Sequence, residues 1–129
     1  IYAATCANLD KPCAPTPVFG PMAVFVSEQP DAAWRRIAPH ALHETNSYAR
    51  WYAEGMIPGP YRHFDDADSL RATGLYQVLT PAQCVELARQ LGPQGRMFIH
   101  PLLAGLDPAV GRETLQLLRD RVMPALADQ

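Results

Sequence analysis

The sequence predicts an α/β chain in which parallel strands alternate with amphipathic helices, and three observations predict it. Residues 22–26 (MAVFV) are continuously apolar between Gly20-Pro21 and Ser27, as expected of a strand covered on both faces in a parallel sheet. From Trp34 onward, Ile37, Ala38, Ala41, Leu42, Thr45, Tyr48, Ala49 and Tyr52 recur at helical spacing. Thr80-Pro81-Ala82-Gln83 is a capping box, in which Thr80 and Gln83 each satisfy an orphan donor and Pro81 takes the first helical position.

The elements follow in order. Residues 1–7 read as the last turns of a helix entering from upstream, and 8–17 as an extended connector, because Pro12, Pro15 and Pro17 each bias the preceding residue away from helix. Residues 1–17 are therefore expected to connect to an upstream part absent from this chain, and Ile rather than Met at position 1 fits that reading. The first strand, 22–26, leads to a long helix opened by Pro30 and Asp31 and closed by Gly55. Pro39 removes one backbone donor, so the rod is expected to kink between Ile37 and His43 or to start afresh there. Residues 56–74 show neither period and carry Asp65, Asp66 and Asp68; an excursion of that length is a candidate lid. Residues 75–79 (LYQVL) read as a short strand, and the helix after Thr80 ends at Gly92-Pro93. Residues 97–103 (MFIHPLL) read as another buried strand, ended near Pro101. Asp107-Pro108 then opens a last helix with an apolar face of Val110, Leu115, Leu118, Val122, Met123 and Leu126.

At 129 residues the chain is sized for one domain, and at 48% hydrophobic and 19% charged it has the material for a core. The formal net charge is −2 and no run of cations exceeds Arg35-Arg36, which disfavours nucleic acid and anionic membrane as partners. No apolar stretch approaches the roughly 20 residues a membrane helix needs. Cys6, Cys13 and Cys84 form no C-x-x-C pair and fit a reducing compartment, so a soluble, cytoplasmic protein is expected.

Few residues stand out as chemistry. His40 and His43 lie three apart with Glu44 beside them, yet no third metal ligand is evident and the order matches neither helical zinc-protease signature; two histidines hydrogen-bonding near the Pro39 kink is the favoured reading. His63 with Asp65, Asp66 and Asp68 lacks the glycine of a calcium loop and reads as a solvated acidic loop. His100 falls at the carboxyl end of an expected strand, where parallel sheets and barrels place their sites. Two of three expected helix starts carry acids, Asp31 and Asp107, and the third carries Pro81, so a cofactor phosphate is not expected to sit mainly on this segment.

Two or three parallel strands leave long open edges and one uncovered face. Either they pair across an oligomer, as a noncatalytic α/β interaction module would, or they close a larger barrel that other segments begin.

Residues 19–26 followed by Ser27-Glu28-Gln29-Pro30-Asp31-Ala32-Ala33-Trp34, then Pro39-His40-Ala41-Leu42-His43 with Tyr48 and Trp51, are one set of motifs. Val78-Leu79-Thr80-Pro81, His100-Pro101-Leu102, Gly105-Leu106-Asp107-Pro108 and the closing Leu117-Leu118 to Val122-Met123-Pro124-Ala125-Leu126 are another. Their order and spacing resemble the carboxyl-terminal part of luciferase-like flavin-dependent monooxygenases, with Gln29 and Ala104-Gly105 as departures. The resemblance covers 18–129, with 56–74 as an excursion, and implies the C-terminal portion of a TIM-type (β/α)8 barrel. It implies reduced flavin mononucleotide (FMN), or a deazaflavin in some relatives, oxidising a small organic substrate with O2. Most flavin contacts belong to the missing amino-terminal strands, so the chain alone is expected to be inactive and to require that part or a partner chain, in a homo-oligomer. The resemblance further implies a pocket wall around His100 and Tyr76, with Tyr61, Arg62 and His63 of the excursion touching substrate; it assigns no catalytic residue.

Overall fold

Strand β2 (Ala23–Val26) lies at the centre of the molecule with all four residues buried. Its side chains alternate, as the two-residue period of a strand requires. Ala23 and Phe25 enter a cluster with Trp34, Ile37 and Ala41, whereas Val24 and Val26 enter a second cluster with Cys84, Val85 and Val122. Both faces of β2 are therefore covered, as its continuous apolar run predicts, although two or three strands alone were expected to leave one face of the sheet bare. The computed structural model describes residues 1–55, 59 and 61–127.

β3 (Tyr76–Leu79) pairs with β2 in parallel, from Ala23 opposite Tyr76 to Val26 opposite Leu79. On the other side of β2, Val24 bridges to Ile99, and the short β1 (Val18–Phe19) pairs in parallel with β4 (Gly95–Arg96). Segment 18–26 thus has 76–79 on one flank and 95–99 on the other. The α/β class is as expected; the order is that of an open sheet in which the second and third strands flank the first, whereas in a barrel each strand neighbours its successor. The expected strand at 97–103 does not form beyond the Ile99 bridge. No further strand covers Phe98 and Leu102 among the described residues, and they face outward, 50% and 66% exposed, while Leu103 is buried in the 3-10 turn Leu103–Gly105.

Helix α2 (Pro30–Gly55) is one 26-residue rod, about 39 Å long at 1.5 Å per residue. It runs through Pro39 without the expected restart. Pro39 and Arg35 both lie on the exposed side, so the carbonyl that loses its donor faces water. Helix α4 (Pro81–Leu91) starts on the expected box: Gln83 N–H donates to Thr80 Oγ1 at 3.2 Å and Thr80 N–H donates to Gln83 Oε1 at 2.9 Å. The last helix is not one helix. α5 (Pro108–Leu117) passes through a π-helical turn (Leu118–Val122) into α6 (Met123–Ala127). That wider turn shifts the phase of the apolar face. Val110, Gly111, Thr114 and Val122 are buried, while Leu115 and Met123, expected in the face, are exposed.

The excursion also differs from expectation. Met56, Ile57, Pro58 and Pro60, at its start, lie outside the described residues, as do Asp128 and Gln129 at the end of the chain. Its second half contains helix α3 (Ala67–Ala72), and the acidic cluster serves that helix: Asp66 accepts from Ser69 N–H at 2.7 Å and from the Ser69 hydroxyl at 3.0 Å. Ser69 holds the Asp66 carboxyl below its ordinary range. Arg71, in the same helix, reaches Asp31 at 2.6 Å and lies over the Trp34 ring, fastening α3 to the start of α2. Residues 2–8 form helix α1 (Tyr2–Asn8). Among the described residues no helix is long and apolar enough to cross a membrane.

Candidate functional site

One stripe of α2 organises the site. His40, Glu44, Tyr48 and Tyr52 stand four residues apart and so lie above one another on the helix surface. His40 Nδ1 donates to the Ala104 carbonyl at 3.0 Å, which fastens the loop after Ile99 to the helix. Glu44, one turn on, accepts from the Tyr76 hydroxyl at 3.0 Å. The Thr45 hydroxyl donates to Tyr76 Oη, also at 3.0 Å. His100, brought over by the loop that His40 holds, places Nδ1 3.8 Å from the same Glu44 Oε1. The result is a polar chain, Thr45 to Tyr76 to Glu44, with an imidazole at its open end.

Burial grades this chain from inside to outside. Thr45 and Tyr76 are buried, the Glu44 side chain is 13% exposed and His100 48% exposed. Burial is the main cause that pushes the Tyr76 hydroxyl well above its ordinary value; the Thr45 hydrogen bond opposes it and the Glu44 charge adds to it. Tyr76 therefore keeps its proton at neutral pH and donates it to the carboxylate. Tyr61 lies against the next part of the stripe, stacked on Tyr48 at 4.7 Å and on Tyr52 at 5.9 Å between centroids. Its pKa is also raised, first by burial and then by Glu44. One oxygen of the Glu44 carboxylate thus takes the hydrogen bond of a phenol and stands 3.8 Å from an imidazole on the side open to solvent.

Of the residues expected to matter, Tyr76, His100 and Tyr61 are gathered around Glu44. Arg62 and His63 are not. Arg62 covers the Phe64 ring at 4.9 Å, and exposed His63 faces Asp65 at 3.5 Å. His43 lines a surface groove with His63, Asn46 and Arg50. Neither histidine bonds to a carbonyl freed by Pro39, contrary to expectation; the acceptor at His40 is Ala104, sixty-four residues away. Sequence reasoning missed Glu44 and Thr45 as partners of Tyr76, although the four-residue stripe on α2 was there to be read.

The carboxyl end of β2, where an open parallel sheet commonly places its ligand, is closed by α5. Thr114 Oγ1 accepts from Val26 N–H at 3.1 Å and donates to the Val26 carbonyl at 3.2 Å, and Ser27 donates to Glu113 at 2.9 Å. His100 does follow the last ladder residue, but Ile99 stands opposite Val24, so the ring meets α2 on the face of the sheet instead of its end. A flavin phosphate finds no fit at the helix starts α2 to α5. Asp31 occupies the first turn of α2, Asp66 and Asp107 cap α3 and α5, and Thr80 with Pro81 fills the start of α4.

No family model matches this chain, and no curated protein and no solved structure matches it either.

Proposed function

We propose that this chain is the C-terminal part of a luciferase-like flavin-dependent monooxygenase, in which it forms one wall of the substrate pocket. The observation that supports this most is the sheet: β2 is covered on both faces, yet among the described residues neither 76–79 nor 95–99 has a partner on its outer side. Parallel strands with unpaired outer edges are completed by further strands. In the complete enzyme, strands of the upstream part would pair with the outer edges of 76–79 and 95–99. Because the helix starts do not suit a phosphate, the flavin, as FMN or deazaflavin, would be held by the upstream part. The contribution of this chain is the Glu44–Tyr76–His100 wall. There Glu44 Oε1 accepts a proton, Tyr76 fixes the direction of the carboxylate, and His100 links it to solvent. Tyr61 and its stacked neighbours exclude water from the adjoining surface.

A titration with reduced FMN tests the reading. A polypeptide carrying the upstream reading frame is expected to bind the flavin and oxidise substrate, with turnover falling at least tenfold in Glu44→Gln, while the 129-residue chain alone binds none. An upstream frame that encodes no strand–helix units would overturn it. The exposed, stacked Phe19 and Phe98, 5.9 Å apart beside the free edge, favour one other reading, a noncatalytic module that pairs with a second chain. A polypeptide with the upstream frame that binds no reduced FMN and forms a stable dimer burying Phe98 would decide for that module.

A further inference from the structure

Cys6 is the one buried residue among the first nineteen, and what covers it is the chain's own return. Helix α1 ends in a Schellman motif: Lys11 N–H donates to the Cys6 carbonyl at 2.9 Å and Asp10 N–H to the Ala7 carbonyl at 3.2 Å. Asp10 takes the left-handed conformation, φ 51°, that the motif demands. The chain then runs back along the helix. Ala14 N–H donates to the Tyr2 hydroxyl at 3.1 Å, and the Cys13 thiol donates to the Ala3 carbonyl at 3.9 Å. Tyr2 and Ala3 stand four and three residues before Cys6, hence on its face of the helix. A strand of chain that touches both must carry Cys13 across Cys6.

We propose that Cys6 and Cys13 are a redox modification site: a thiol pair that closes to an intramolecular disulfide and staples residues 8–17 onto α1. The two thiols are free in the structure, and a hydrogen bond with Cys6 is the main cause that raises the Cys13 pKa. With glutathione disulfide as oxidant the step balances. Exposed Cys13 loses its proton to solvent and attacks one glutathione sulfur, releasing glutathione thiolate. Buried Cys6 then loses its proton and attacks the Cys13 sulfur, releasing the second glutathione. Two protein thiols are oxidised by two electrons and one glutathione disulfide is reduced to two thiols. Because Cys13 is held protonated, the first attack accelerates as pH rises above neutral. Cys84, buried under β2 on the far cluster, takes no part.

The experiment incubates the intact protein with glutathione disulfide, blocks remaining thiols with a maleimide, and maps the peptides by mass. The expected product has lost two hydrogens, carries a Cys6–Cys13 cross-link and retains a free Cys84 after unfolding. In Cys6→Ser the expected product is instead a lasting glutathione adduct on Cys13, because nothing resolves it. Three results would overturn the proposal: a lasting glutathione adduct on Cys13 in the unsubstituted protein, a Cys13–Cys13 link between two chains, or two unmodified thiols under conditions that oxidise a reference dithiol. Since the readout is thiol chemistry at the amino end, it is independent of whether the flavin reading stands.

Discussion

Tyr76 both accepts from Thr45 and donates to Glu44, so its hydroxyl is the joint of the polar chain. Tyr76→Phe keeps the ring in the core and leaves two polar groups without that partner. A loss of about 1–3 kcal/mol is expected in urea denaturation, the usual cost of a buried group deprived of its hydrogen bond; an unchanged midpoint would show that the chain carries no stability. The pH dependence has a definite sign. Burial raises the folded pKa of Tyr76 above that of an unfolded tyrosine, near 10. Below the unfolded value both states keep the proton and the contribution is fully present; as pH rises through and beyond that value the unfolded chain ionises first and stability is lost. The expected result is alkaline unfolding that begins near the ordinary tyrosine range and moves to higher pH in Tyr76→Phe, followed by circular dichroism. His100 stood out in the sequence as a residue at the end of an expected strand, whereas Tyr76 entered only through the resemblance. Glu44 was seen only as a neighbour of histidines, because side chains separated by thirty-two residues in sequence meet only through the β2–β3 ladder.

Local chemistry decides some elements alone and leaves others to their neighbours. The α4 start was readable because both halves of a capping box lie within four residues. Thr80→Ala is expected to cost about 1 kcal/mol and Thr80→Ser almost nothing, measured as a shift in Tm; equal shifts would mean the box does not anchor the helix. The α5 packing was not readable. An apolar repeat picks out Leu115, but the helix turns its small residues inward. Thr114 seals the end of β2 with two hydrogen bonds to Val26, and Gly111 lies so close to the Pro101 carbonyl that an added Cβ would collide with it. Gly111→Ala is therefore expected to push the loop at Pro101 away, take His100 from Glu44, and lower stability by about 1–3 kcal/mol, the range of overpacking. Its structural readout is the His100 ring resonance, which should move with Gly111→Ala and stay in place with an exposed change on the same helix such as Arg112→Ala. The capped acidic cluster at Asp66 belongs to the same lesson: three carboxylates in an aperiodic stretch looked like loop, and a six-residue helix held by Arg71 and Phe64 requires tertiary partners to form.

At the scale of the molecule, alternation of strand and helix predicted the class and even the two covered faces of β2, whereas the lateral order of the strands could not be read. Order depends on which edge a returning segment meets, and apolar runs of four or five residues look alike at either edge. The edges themselves give the last prediction. Backbone groups on the outer sides of 76–79 and 95–99 have no strand partner among the described residues, and Phe19 and Phe98 stack in the open, 62% and 50% exposed, beside one of them. A free parallel edge next to exposed aromatic surface is a template for another chain, and a net charge of only −2 offers little repulsion between copies. The isolated chain is therefore expected to self-associate as concentration rises, seen as a concentration-dependent sedimentation coefficient. Phe98→Lys puts a charge at that edge without touching either buried cluster, since Phe98 belongs to neither. It should restore a monomer with unchanged Tm. Association that persists in Phe98→Lys would move the contact to the 76–79 edge, where Gln77→Lys repeats the test; a chain that stays monomeric throughout would mean that its edges are closed well enough to need no neighbour, and the reading of this sheet as a part of a larger one would lose its support.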